Sequence, residues 1–166
     1  DPWMTLVGYF SSLRELGGMR RATDDSVNAR LRRMEQRGLA NRYLSPFGVK
    51  ELTSRLGATD IPDILDQLET PFDLADAERV KGQRRERWPI DVLLATNMIS
   101  VGVDINRLGL MVAAGQPKTT AEYIQATSRV GRSHPGLVCV VYNWTRPRDL
   151  SHYETFEHYH ATFYQH

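Results

Sequence analysis

The chain has 166 residues, a net charge of +1, 41% apolar and 25% charged side chains and a negative mean hydropathy. That is enough for one domain with a real core, and no apolar run approaches the roughly 18–20 residues of a membrane span, so no membrane partner is expected. The near-neutral balance excludes a polyanion binder driven by global charge, and a single cysteine, Cys139, excludes an intrachain disulfide.

Asp1-Pro2-Trp3 has no signal-peptide pattern and no initiator Met, which reads as a piece cut from a longer protein. Thr5–Phe10 is short, apolar and aromatic, a buried strand. Ser12 followed by Glu15 is a capping box opening a helix. Its continuation places Val27, Leu31 and Met34 on one face with arginines on the other, and Gly38 ends it. Pro46 and Gly48 mark a turn, and Lys50–Ser54 suits a short strand. Thr59-Asp60, with Pro62 just inside, starts a helix whose apolar stripe is Ile61, Ile64, Leu65 and Leu68.

Residues 70–89 are polar, carry the basic run Lys81–Arg87, and read as a surface connection or short helix. Asp91–Ala95 is a buried strand, followed by a loop through Gly102 and Asp104. Leu108–Ala114 is another strand. Thr119 with Glu122 is a second capping box, opening a helix through Arg129. Leu137–Tyr142 is a third apolar strand, with Cys139 a small buried hydrophobe inside it. Asp149 or Ser151 caps a last helix, rich in Tyr, Phe and His, so that residues 146–166 form a C-terminal extension to a single domain spanning 1–166. Apolar strands without alternation, separated by helices, imply an α/β fold with a mostly parallel central sheet covered on both faces. Three lysines among 21 Lys and Arg leave 18 arginines. Arginine is favoured where planar, bidentate phosphate contact is required, and codon bias is the bland alternative.

Ligands of open parallel sheets bind at the carboxyl ends of the strands, and two segments are read from that position. In Ala95-Thr-Asn-Met-Ile-Ser-Val-Gly-Val-Asp-Ile105, Thr96 offers a hydroxyl at a strand end. Gly102 frees the loop, and Asp104 offers a carboxylate to a sugar hydroxyl or an arginine. In Tyr123-Ile-Gln-Ala-Thr-Ser-Arg-Val-Gly-Arg132, Arg129 and Arg132 lie three apart and emerge together where the helix ends. Two converging guanidinium groups repel unless an anion sits between them, and phosphate matches their rigid fork of donors. Without further context, an ordinary strand-loop turn and a surface arginine pair would serve equally well.

Taken together, these segments resemble motifs V and VI of superfamily 2 helicases, in the right order, and Leu6–Ser12 is similar to motif IV. The resemblance covers roughly residues 5–145. It implies a RecA-like three-layer fold, the second of two such domains. It implies that Arg129 and Arg132 reach the γ-phosphate of ATP and that Gln125 helps couple the nucleotide to the cleft. Gly102 and Asp104 would lie near the ribose, and Thr96 and Ser11 would contact the nucleic-acid backbone. The chain departs from the pattern at Ala126, where many relatives carry a further arginine, and at Ser128, where glycine is usual. No Gly-x-x-x-x-Gly-Lys-Ser/Thr loop and no Asp-Glu pair occur. The resemblance assigns these, and the Mg2+ they hold, to an upstream RecA-like domain, so this stretch alone is expected not to hydrolyse ATP. The His/Tyr-rich tail, together with Glu51-Leu-Thr-Ser-Arg55, resembles helicase subunits of DISARM-type phage-defence systems. That implies a cytoplasmic protein, DNA in preference to RNA, and partner subunits. His158 and His160 are two apart and face different sides of a helix, so no metal site is expected. The alternative is a non-catalytic RecA-like module that docks proteins or nucleic acid.

Overall fold

The computed structural model describes residues 1–57, 59–72, 88–96 and 104–162. Five strands, β1 (Leu6–Phe10), β2 (Val49–Leu52), β3 (Val92–Ala95), β4 (Leu110–Ala114) and β5 (Leu137–Val141), form one sheet in the order β2-β3-β1-β4-β5, with every pairing parallel. The strand starts therefore share one edge of the sheet and the strand ends the other.

Ser12 caps α1 (Leu13–Ala22) as the sequence predicts, its hydroxyl accepting from the Glu15 amide at 3.3 Å. The winding widens to π-type over Thr23–Val27, closes into α2 (Asn28–Leu31), and ends in a 3-10 turn at Met34–Arg37. Gly38 supplies the left-handed residue that stops it, at φ 71°. The predicted stripe of Val27, Leu31 and Met34 is only partly core. Leu31 packs against the apolar cluster around Leu16 and Met34 is half-buried, whereas Val27 is exposed, in the wider turn. In α3 (Asp60–Glu69), Ile61, Ile64, Leu65 and Leu68 all pack onto the core as the stripe predicts.

Two apolar clusters lie on opposite faces of the sheet. One joins Val7, Tyr9, Leu93, Ala95 and Met111 to Leu68 of α3 and to Ala126 of α4 (Thr120–Thr127). The other joins Phe10, Val92 and Leu94 to Leu16 of α1. Coverage is less complete than the apolar strands suggest. On the α1 face, Leu137, Cys139 and Val141 of the edge strand β5 are all exposed, so Cys139 is not the buried hydrophobe expected.

The extension forms two helices, α5 (Pro147–Glu154) and α6 (Phe156–Ala161). Asp149 does not cap its own helix, which starts two residues earlier with Pro147 at its first turn. It is fully buried and accepts from the amides of Gln116 at 3.0 Å and Asn143 at 2.9 Å. Arg146 pairs with Glu15, so the carboxylate of the first capping box binds the extension instead of reaching back along α1. Among the described residues no helix is long and apolar enough to cross a membrane.

Candidate functional site

Ser11 directly follows β1 and Thr96 directly follows β3. The register Tyr9↔Ala95 sets these two positions side by side on the carboxyl edge. Ser11 is half-buried, whereas Thr96 keeps only 6% of its surface and donates its amide to Leu52 O at 3.3 Å. Gly102, with all of residues 97–103, lies outside the described residues, as does the basic run Lys81–Arg87.

α4 starts at this same edge. Thr119 caps it through the Glu122 amide at 3.1 Å. The Glu122 carboxylate does not close a reciprocal box. One oxygen accepts from the phenol of buried Tyr9 at 2.6 Å and the other from the Lys118 amide at 3.0 Å. Burial, with Glu122 beside it, pushes the Tyr9 phenol well above its usual range, so it stays a donor. Sequence reading identified Glu122 only as a cap. Tyr9 gave no signal beyond being an aromatic residue at a strand end.

From there α4 runs back across the sheet. It ends at Thr127, two residues short of the predicted Arg129, and Ser128 closes it. The chain then reaches the opposite, amino edge, where the Gly131 amide donates to Leu108 O at 2.9 Å and the Leu137 amide to Gly109 O at 2.8 Å. The arginine pair therefore does not sit at the carboxyl ends of the strands. A helix that leaves the carboxyl edge and precedes a parallel strand must finish at the amino edge, and Arg129 and Arg132 go with it.

At that edge four of the expected residues come together. Arg129 Nε donates to Gln125 O at 3.2 Å, and Arg132 Nε donates to Ser128 O at 3.2 Å. Both guanidinium groups thus lie against the last carbonyls of α4, where the helix dipole favours a cation. Arg132 also forms an ion pair with Asp104, whose side chain is 70% exposed. So open a pair contributes on the order of 0–1 kcal/mol, and an incoming phosphate can displace the carboxylate.

The arginine loop is set by a crossing of two glycines. Gly131 has φ 82°, and a Cβ there would lie 3.1 Å from Gly136 N. A Cβ on Gly136 would come within 2.7 Å of Gly131 Cα. Gly131→Ala should therefore lower stability by about 1–3 kcal/mol, from the left-handed backbone and the contact together. Chemical denaturation reads the loss; an unchanged midpoint would show that the loop opens without strain.

Among the described residues no group of three or more His, Cys, Asp or Glu could hold a metal ion. His152 and His160 instead pack edge-on against the Tyr159 ring, at 4.7 and 5.3 Å between centroids. Burial, with Arg148 nearby, lowers the His152 pKa.

Residues 73–134 match the model of the helicase conserved C-terminal domain. Over 164 residues the chain is 50% identical to DISARM protein DrmA of Bacillus paralicheniformis, covering 99% of this chain and 14% of that protein. The crystal structure of the DUF1998 helicase MrfA bound to DNA superposes with a TM-score of 0.65 at 14% identity, over 98% of this chain and 18% of that one. The C-terminal part of the Fun30 ATPase domain does so at 0.60 and 10% identity, over 90% and 38%. At such identities the solved structures establish the fold alone, a RecA-like sheet with its flanking helices. The family match places residues 73–134 as similar to the helicase conserved C-terminal domain, on a fold that such domains share.

Proposed function

We propose that the domain is the second motor domain of an ATP-dependent superfamily 2 helicase or translocase, contributing half of an interdomain ATP site. The observation that carries this is the meeting at one edge of Gln125, Arg129 and Arg132, on the last turn of α4 and the loop after it, with Asp104, on the segment that leads into β4. Asp104 holds Arg132 in place until the cleft with an upstream RecA-like domain closes. Arg132 then exchanges the exposed carboxylate for the γ-phosphate, with Arg129 beside it. The two guanidinium groups stabilise charge on the transferring phosphoryl group through fixed forks of donors. The upstream domain would hold Mg2+, which would supply charge neutralisation on the same phosphates. Gln125 and Asp104 line the nucleotide side of the cleft, and Gly102 is assigned there by its place in the motif.

Ser11 and Thr96 stand at the opposite edge, on neighbouring strand ends, where a nucleic-acid backbone would be tracked as the cleft opens and closes. DNA is preferred to RNA on the 50% identity to a DISARM protein, since the fold itself is shared with helicases bound to either polymer. The same identity supports a place in a phage-defence assembly with partner subunits, in the cytoplasm. The chain spans 14% of that relative, so the motor's activity belongs to the longer protein.

The reading requires ATP hydrolysis by the full-length protein that rises when nucleic acid is added. Thr96→Val should raise the nucleic-acid concentration for half-maximal stimulation about fivefold, the equivalent of one lost hydrogen bond of about 1 kcal/mol. The saturated rate should stay the same, and the effect should be alike for every base sequence, since backbone contacts carry no sequence information. Hydrolysis indifferent to nucleic acid would refute the motor, and a sequence-selective loss would refute the backbone contact.

A further inference from the structure

The strand-end residues do not account for the densest charge in the chain. Residues 26–44 contain five arginines and one acid, Glu35. The carboxylate of Glu35 is taken up by Asn41 Nδ2 at 3.0 Å. Two of the arginines are also engaged. Arg42 donates to Asp91 at 2.6 Å and to Met4 O at 2.8 Å, and Arg32 lies over the Tyr43 ring at 4.7 Å. The guanidinium groups of Arg30, Arg33 and Arg37 have no hydrogen bond or ion pair among the described residues, and all three are exposed. They converge on one shallow depression, floored by Ser26, Ala29 and Met34. Three like charges gathered without a carboxylate raise a local positive potential that favours an anion with several charges.

Two exposed rings on the segment that follows α2 narrow the anion. Asn28 grips Leu44 on both sides, Nδ2 donating to its carbonyl at 2.9 Å and Oδ1 accepting its amide at 3.0 Å. This clamp holds Tyr43 beside α2 with half its surface open, and Phe47 on the next turn is 78% exposed. Exposed rings among arginines are the combination that stacks bases while guanidinium groups hold phosphates. Arg30 to Arg37 spans seven residues of α-helical to 3-10 winding. That is about 10–14 Å, or three to four phosphates along one strand at roughly 3.4 Å of helix axis each.

We infer that Arg30, Arg33 and Arg37 form a second, sequence-independent contact with the nucleic-acid backbone, apart from the strand-end residues. This rests on the motor reading for the presence of nucleic acid and on the geometry for its location. The patch lies on the α1 face of the sheet, whereas α4 and its arginines belong to the other cluster. It is separated from Ser11 by the helical run from Leu13 to Leu31, on the order of 28 Å at 1.5 Å per residue. A contact so far from the tracking edge takes hold of a flanking stretch of the polymer, and so favours long substrates over short ones.

The test uses the full-length protein with Arg30, Arg33 and Arg37 all changed to Gln, which removes charge from exposed positions and keeps helix propensity. Binding to a fluorescent DNA duplex with a single-stranded extension is followed by anisotropy over a range of salt concentrations. The slope of log K against log salt should fall by about 2–3, at roughly 0.9 per lost duplex phosphate contact. Affinity at low salt should drop on the order of tenfold or more, while the ATPase rate at saturating DNA is unchanged. An unchanged slope would overturn the inference, as would a loss confined to particular base sequences. So would wild-type DNA binding accompanied by lost association with an acidic protein. The two readings separate cleanly. If the slope falls but hydrolysis never depends on DNA, the motor fails and this contact stands. If hydrolysis is stimulated normally and the slope does not move, this contact fails and the motor stands.

Discussion

Replacing Arg132 by Ala in the full-length protein is expected to lower nucleic-acid-stimulated ATP hydrolysis at saturating ATP by about 10³-fold or more. Arginines that reach a transferring phosphoryl group from outside its own domain contribute on the order of 10³–10⁵ in rate. The structure makes this loss interpretable. Among the described residues Arg132 is held by the Ser128 carbonyl and the exposed carboxylate of Asp104 alone, so its removal should shift stability by less than about 1 kcal/mol. A rate loss without a matching change in melting temperature then reports on chemistry. Asp104→Asn is the control. It removes the resting ion pair, leaves the guanidinium in place, and should cost far less rate than losing the arginine. Full activity in the Arg132 variant would end its assignment to the γ-phosphate.

The second large effect is on stability. Asp149→Ala should destabilise the domain by about 2–4 kcal/mol, because it leaves the buried amide of Gln116 and the part-buried amide of Asn143 without an acceptor. Each unsatisfied buried group costs about 1–3 kcal/mol, and bonds to a charged acceptor lie at the upper end. The backbone there has little room to relax. Gly115 sits at φ 82° with its absent Cβ only 3.0 Å from Asp149 Oδ2, and Gln116 is itself fully buried under Tyr142 and Tyr159. Burial, and after it the nearby Tyr123, Tyr159 and Asp149, push the Tyr142 phenol up to about 12, so it remains a donor to Gln116 at neutral pH. Asp149→Asn retains one acceptor oxygen and should fall between wild type and Ala in denaturant melts. A loss below 1 kcal/mol for the Ala variant would mean that water replaces the carboxylate.

Local rules recovered most of the elements. Ser12 and Thr119 cap the helices predicted from them, and the stripe of α3 packs as its spacing implies, because caps and stripes depend on residues within one or two turns. What was not legible depends on partners far along the chain. Cys139 lies in an apolar run, yet it is exposed because β5 is an edge strand with nothing over its α1-side face among the described residues. Periodicity cannot tell an edge from a centre. Asp149 looks like a cap, but its acceptor oxygens serve an amide 33 residues away. Arg129, Arg132, Gln125 and Asp104 were recognisable as a set, whereas their edge of the sheet was not. That follows from the direction of α4, which the strand–helix–strand order contains but a motif read in isolation does not.

The pairing of Arg146 with Glu15, and of Asp149 with the Gln116 amide, bears on where this polypeptide can be cut. Truncation after Val141 would keep all five strands and both arginines. It would also strip the turn after β4 of its acceptor, release the first turn of α1, and uncover Tyr123, which packs against Tyr159 and His160. Such a fragment would be a poor reporter of the arginine site, since its failures would be failures of folding. Dissection of the longer protein is better begun beyond Ala161, where Tyr159 and His160 of the last helix have packed against α4.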